Sequence, residues 1–467
     1  ATLFPDRLED WIGEDNPVRV IDLFVDEIDL AGLGFGRTVP ATTGRPGYHP
    51  AVLLKLFIYG YLNRVPSSRA LEREAGRNVE VMWLTGRLAP DHKTIADFRR
   101  DNGPAIRRTC AQFVELCRRI GVLKGDCVAI DGSKFKAVNN RDKNFTTGKV
   151  ASRIAHLEAS VERYIDEMVR IDRQEEGEAR MEKLANLHRR YGRIRQEIQR
   201  LQDIDRALKN STDNQISLTD PDSRSMATSA KGSGFVGYNA QAAVDTETHL
   251  IVTHEVTMLG FDRDALSMMA VAADDIMTTD QLTAIVDKGY YKGEEIVASE
   301  EAGISVVVPK PMTSNAAARG QFDKADFAYD GEKDVYVCPA GENLTYRFTG
   351  QQDGKAIRTY WSGACADCVI KDKCTTSKER RVRRWVHEDV LERVQDRLDA
   401  DPAQLAVRSM TVEHPYGTIK SWMGATHFKM RQLKNVATEM ALHVLAYNMT
   451  RVMKIMGIPA MIAAMKA

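Results

Sequence analysis

Nowhere in this chain do about 18 apolar residues run together, so no segment has the length of a bilayer-spanning helix. The opening ATLFPDRLEDW has neither the basic start nor the apolar stretch of a secretory signal, and the expectation is a cytoplasmic protein. An excess of either charge is also missing: 65 Lys and Arg stand against 65 Asp and Glu. Net charge therefore neither favours nor excludes a nucleic-acid partner, and positive charge is instead local, in KERRVRRW at 378–385 and along 434–454. Cysteine is sparse, seven in all, and four of them fall late. An odd count with a late cluster argues against a disulfide framework and for metal or reduced thiols.

What is present is enough for several cores. The 467 residues correspond to about three units of ordinary domain size. Up to about residue 125, PVRVIDLFVDEI, HPAVLLKLFIYGYL, SSRALEREAG and HKTIADFRRDNGPAIRRTCAQFVELCRRIGVL place apolar residues three and four apart between Gly, Pro, Ser and Asp breaks. This predicts short packed helices over 1–125. Arg69, Arg73, Lys93, Arg99 and Arg100 punctuate them, as in a helix-turn-helix DNA reader or in ordinary helix packing. Over 151–213 the spacing approaches a heptad at Ile154, Leu157, Val161, Ile165 and Met168, and again from Met181 to Leu208, which predicts an antiparallel helical hairpin turning near Gly177.

The period then changes. GFVGYNAQAAVD, HLIVTHEV, LTAIVDKGYY and ISVVVPK read as strands, and FDRDALSMMAVAADDIM as a helix between them. With VAIDGSKFKA they predict an α/β mixed sheet built from 126–150, 214–311 and 400–467, the last piece including C-terminal helices. A cysteine-containing insertion is expected over 312–399, where Cys338, Cys365, Cys368 and Cys374 offer four thiolates, a set that suits a structural Zn²⁺ site or reduced, unligated cysteines.

Two predicted strands end in an acid after an apolar run: Asp131 in VAIDG and Asp287 in AIVDKG. Strands lying side by side would bring these carboxylates together, at an electrostatic cost that a cation relieves. Glu413 in TVEHPYGTIK is a third candidate. Three such acids at one sheet edge suit two Mg²⁺ ions acting on a phosphodiester, and three unrelated surface acids would give the same spacing.

VAIDGSKFKA, DPDSRSMATSAKGSGFVGYNAQAAVD, AIVDKGYY, VEHPYGTIK and HFKMRQLKNVATEMALHVLAYNMTRV together resemble the DDE transposases of bacterial insertion sequences, those with a YREK-type signature around the final glutamate. YHPAVLLKLFIYGYLNRVPSSRALE extends the resemblance into the helical region. It implies an RNase H-like core with Asp131, Asp287 and Glu413 as the catalytic, Mg²⁺- or Mn²⁺-binding triad, double-stranded DNA (element ends and target) as partner, a homodimer on DNA, and nucleoid association. It also implies that Lys420 is the signature lysine, meeting an end phosphate. Arg408 is the candidate signature arginine, one residue farther from the glutamate than the pattern has it, and no tyrosine precedes it at the usual place. Lys134, Lys136 and Asn239 are further candidates for DNA contact. Gln241 shares a strand face with Asn239, and Trp422 either stacks on an expelled base or fills a core. A DNA-binding relative without activity and an RNase H-like nuclease acting on another substrate are the alternatives.

Overall fold

A computed structural model of the chain describes residues 7–39, 47–174, 177–211, 213–227, 234–311 and 319–467. The first six residues of ATLFPDRLEDW, the TSAKGS stretch before GFVGYNAQAAVD and the start of the cysteine-containing segment at 312–318 lie outside the described residues.

Six helices open the chain: α1 (Pro17–Glu27), α2 (Pro50–Leu62), α3 (Ser68–Ala75), α4 (Val79–Leu84), α5 (His92–Asp101) and α6 (Gly103–Arg119). Their starts follow local chemistry. Asn16, Asn78 and Asp91 each accept a hydrogen bond from a first-turn amide, and Pro17 and Pro50 stand where no intrahelical donor is needed. Leu54, Phe57 and Ile58 of α2 are fully buried, each stabilising the fold by about 1.5–3 kcal/mol.

The chain then enters β1 (Cys127–Lys136) and the short β2 (Asn144–Thr146), and rises into α7 (Thr147–Gln174) and α8 (Glu178–Lys209). These two helices pack antiparallel, and Gly177 between them has φ +91°, a conformation that glycine takes without strain. Their apolar stripe forms a cluster at the base, where Val150, Leu201, Ile204 and Leu208 close over Phe145, and Ile171, Leu187 and Ile198 are buried farther along. Ile165, Val169 and Met181 higher up are exposed.

β3 (Gln215–Ser217) pairs with β2, and β4 (Arg224–Ala227) pairs with the start of the long β5 (Gly234–Asp245). β6 (Ile251–Thr257), α9 (Leu266–Met277), β7 (Thr283–Ile285), α10 (Gly293–Glu301) and β8 (Ser305–Val307) follow. The main sheet has six strands in the order β6, β5, β1, β7, β8, with β4 beside the start of β5: β4 and β6 pair antiparallel with β5, β5 antiparallel with β1, and β1, β7 and β8 run parallel.

A second, antiparallel sheet holds β9 (Ala328–Asp330), β10 (Val335–Val337), β11 (Asn343–Gln352), β12 (Lys355–Trp361) and β13 (Val382–Trp385) in chain order. Then come α11 (Glu388–Ala400), α12 (Gln404–Gly417), α13 (Leu433–Met456) and α14 (Ile458–Lys466). Through α11 the chain returns to the main sheet, where Arg397 donates to Glu300 and to the Val306 carbonyl at 2.5 Å.

α13 is buried almost all round because it packs between α6 and α2 on one side and β6 on the other. Its Asn448 side chain replaces a missing strand neighbour, accepting from the Ile251 amide at 3.0 Å and donating to the Ile251 carbonyl at 2.8 Å. One continuous core therefore joins the N-terminal helices to the sheet, and the helices form a layer on it.

Candidate catalytic carboxylate site

Strand register brings the two aspartates together. Ala129 of β1 lies beside Ile285 of β7 in parallel. Asp131 and Asp287 are each two residues farther along, at the same level and on the same face of neighbouring chain segments. Backbone amides orient both: Gly132 N donates to Asp131 Oδ1 at 2.9 Å, and Gly289 N to Asp287 Oδ1 at 2.7 Å.

Arg408 of α12 spans the pair, its Nη2 lying 2.7 Å from Asp131 Oδ1 and 3.8 Å from Asp287 Oδ2. Burial still pushes the Asp131 carboxyl up to about 6, against the pull of Arg408 and the Gly132 amide and with the push of the Asp287 and Asp262 charges. Two carboxylates here offer hard oxygen donors in a half-buried setting, the chemistry that suits a divalent cation such as Mg²⁺.

α12 lies across β1. Its Tyr416 hydroxyl reaches the backbone carbonyls of Asp131 at 2.9 Å and Ala240 at 2.7 Å. Glu413 precedes Tyr416 by three residues on the same helix side, exposed, and accepts from Ser409 Oγ at 3.1 Å. After Gly417 the helix widens into a π turn, Thr418–Trp422, closed by Met423 N to Thr418 O at 2.9 Å. This turn carries Lys420 back to β1, where its Nζ sits 2.6 Å from Ser133 Oγ and 4.6 Å from the centre of the Phe135 ring. Burial lowers the Lys420 pKa, with Asp131 acting in the opposite direction.

Trp422 at the end of the same turn is 69% exposed and fills no core. Lys134 Nζ donates to the Ala227 carbonyl at 2.6 Å, and Lys136 lies over the Phe235 ring. Asn239 differs from its sequence reading as a DNA contact. It is fully buried, and its Nδ2 donates to Asp262 Oδ1 at 2.7 Å, so its amide lies beneath the site rather than at a DNA-facing surface.

Asp262 is the residue that sequence reasoning missed. Its Oδ1 also accepts from Gln241 Nε2 at 2.6 Å, and the Tyr290 hydroxyl donates to Gln241 Oε1. In GFDRDALS this aspartate looks like an ordinary helix-entry acid. The available signal lay on β5, where two amide side chains on a buried strand require a polar partner from elsewhere.

Cys338, Cys365, Cys368 and Cys374 belong to the second sheet and its loops, and all are free thiols. Among the described residues, no group of three or more His, Cys, Asp or Glu side chains stands ready to hold a metal ion as it lies, the three carboxylates included. No helix among them is long and apolar enough to cross a membrane.

Two family models match the chain: a transposase domain (DUF772) over residues 6–101, and a transposase DDE domain over residues 337–453. The first takes in α1 to α5; the second runs from β10 into α13 and includes Arg408, Glu413 and Lys420. Asp131 and Asp287 fall outside both spans, and it is the fold that brings them to the matched helix α12. No curated protein and no solved structure matches the chain. A transposase domain at its start and a transposase DDE domain in its last third together support a DDE transposase of an insertion sequence.

Proposed function

We propose that this transposase binds the terminal inverted repeats of its own element, hydrolyses the phosphodiester at each end, and joins the released 3′ hydroxyls to target DNA. The observation that carries this reading is the parallel register that pairs Asp131 with Asp287 under α12. The sheet order, three antiparallel strands and then two parallel ones, supports an RNase H-like core. In this reading Asp131, Asp287 and Glu413 hold the cations. When bound, a pair of divalent ions lowers the pKa of the attacking water or hydroxyl and stabilises the leaving oxygen.

The chain's own side chains supply the rest. Arg408 offsets the negative charge of the two aspartates, the same carboxylates that would hold the cations. Lys420, between Ser133 and Phe135, meets a backbone phosphate beside the scissile one, and it departs from a full YREK pattern only in lacking the tyrosine and the usual arginine spacing. Trp422 presents its indole to an unstacked base at the cleaved end. Lys134 and Lys136 contact the flanking phosphates, and exposed basic residues of the N-terminal helices, Arg69, Arg73 and Lys93, read the repeat. Two ends are cut and joined in concert, so the working form is a homodimer on DNA at the nucleoid.

The test is incubation of the protein and Mg²⁺ with a duplex carrying the inverted repeats that flank its gene. The expected products are a 3′ hydroxyl at the repeat boundary and strands joined to target DNA. Repeat binding without cleavage identifies a binding-only relative. Equal cleavage of any structured nucleic acid identifies a general nuclease.

A further inference from the structure

The second sheet has few means of holding its own loop. Its core is Phe327, Tyr336, Leu344, Tyr360 and Val382, and the segment from Ser362 to Glu379 contains only two short 3₁₀ turns, Gly363–Ala366 and Lys371–Lys373. A core of this size is usually supplemented by a covalent or metal staple.

Four thiols converge where such a staple is needed. Cys338, Cys365, Cys368 and Cys374 all line one cavity of about 20 Å³, room for a single ion or water, and the remaining lining is apolar, basic or the hydroxyl-bearing Thr375, with no carboxylate or imidazole. Cys338 and Cys374 pack against the small core. Two tight turns present the sulfurs: Cys338-Pro-Ala-Gly341, closed by Gly341 N to Cys338 O at 2.8 Å with Gly341 at φ +83°, and Cys365-Ala-Asp-Cys368, followed by Lys371 N to Cys368 O at 3.2 Å. Cys110 and Cys117 differ, being buried in the helical layer away from this cluster.

We propose that Cys338, Cys365, Cys368 and Cys374 form a tetrahedral Zn²⁺ site that fastens the 362–381 loop to the second sheet. As they lie, the four thiols line the cavity without forming a ready metal cage among the described residues. Binding draws them inward to the Zn–S distance of about 2.3 Å and releases their protons to solvent, so assembly of the site and ordering of the loop are one step. The role is structural, because four protein ligands leave no position for substrate.

The full-length protein, purified from zinc-supplemented culture, is expected to carry one zinc per chain by elemental analysis. Asp131→Asn and Cys110→Ser should leave that content unchanged, and Cys365→Ser with Cys368→Ser should abolish it. Should the double variant fail to fold, the wild type decides: stripped of zinc and given Co²⁺, it should bind one ion per chain with a thiolate-to-cobalt charge-transfer band and the intense visible bands of tetrahedral cobalt. Zinc well below one atom per chain together with an absent cobalt spectrum would overturn the proposal. So would a double variant that retains the full zinc content. Neither readout involves DNA or cleavage, so the outcome is independent of the proposed transposition chemistry.

Discussion

Gly132 follows the first aspartate, and replacing it with alanine probes how tightly the site is built. A Cβ there would lie 2.4 Å from Asp262 Oδ1, 2.4 Å from Gln241 Nε2 and 3.0 Å from Asn239 Oδ1. Gln241 Nε2 donates to Asp262 Oδ1 at 2.6 Å and Asn239 Nδ2 donates to it at 2.7 Å, so neither Asp262 nor Gln241 can retreat without lengthening those bonds. A hydrogen bond to a charged group contributes about 1.5–3 kcal/mol, and overpacking a well-filled interior costs about 1–3 kcal/mol. Partial loss of both bonds with some relaxation gives about 3 kcal/mol of destabilisation for Gly132→Ala. Asp131 is displaced with them, and a shift approaching 1 Å lowers the cleavage rate by about a hundredfold. Gly148→Ala is the matched control, since its Cβ meets nothing within 4 Å at the start of α7, and a gain of about 0.5 kcal/mol is expected. Urea unfolding of both variants measures the difference, and single-turnover cleavage of repeat DNA reads the site. If Gly132→Ala matches the wild type within about 0.5 kcal/mol and cuts at the same rate, the packing described around Asp262 is wrong.

Three further outcomes are expected. Arg408→Gln leaves two facing aspartates uncompensated and should destabilise the metal-free protein by about 2 kcal/mol, an effect that Mg²⁺ partly reverses in thermal melts; a loss indifferent to Mg²⁺ would count against cation binding at this pair. Lys420→Gln should weaken repeat binding and reduce the slope of log affinity against log salt by about 1, and an unchanged slope would remove Lys420 from the phosphate contacts. His443 is buried against Tyr61, and burial holds its imidazole down at about 3 from an ordinary 6.5. The unfolded chain therefore binds this proton first, so the stability His443 contributes is fully present above pH 6.5 and is lost as pH falls toward 3, by about 2 kcal/mol between pH 6.5 and 5. His443→Phe should flatten that part of the urea-midpoint profile, and an identical acid slope would contradict the burial argument.

Much of the fold was legible because its elements carry strong local signals. The apolar spacing of α1 to α6, the heptad stripe of α7 and α8, and the alternation in β5 each fix an element type within one window of sequence. Asp131 and Asp287 could be singled out because each ends an apolar run two residues beyond a buried strand position. Long-range consequences were less accessible. That Arg408 bridges both aspartates depends on α12 crossing β1, which no local spacing encodes. Asp262 reaches the site only through the β6–α9 connection, and Asn239 was read as a DNA contact because the partner that holds its amide is 23 residues away. The residues of α11 follow the second sheet in the chain, yet the helix packs on the main one through Arg397, a contact spanning 97 residues to Glu300. Trp422 was ambiguous for a different reason: the π turn that swings it outward has no simple sequence signature.

The central claim is that Asp131, Asp287 and Glu413 act as one cation-binding unit on DNA, although the three do not form a ready metal-holding group as they lie. Single-turnover cleavage of pre-bound repeat DNA in Mg²⁺, comparing the wild type with Asp131→Asn, Asp287→Asn and Glu413→Gln, tests it most directly. The account predicts that each variant still binds the repeat but cuts more than about a thousandfold more slowly, a loss of about 4 kcal/mol of transition-state stabilisation. A Glu413→Gln protein that cuts within tenfold of the wild type would contradict it.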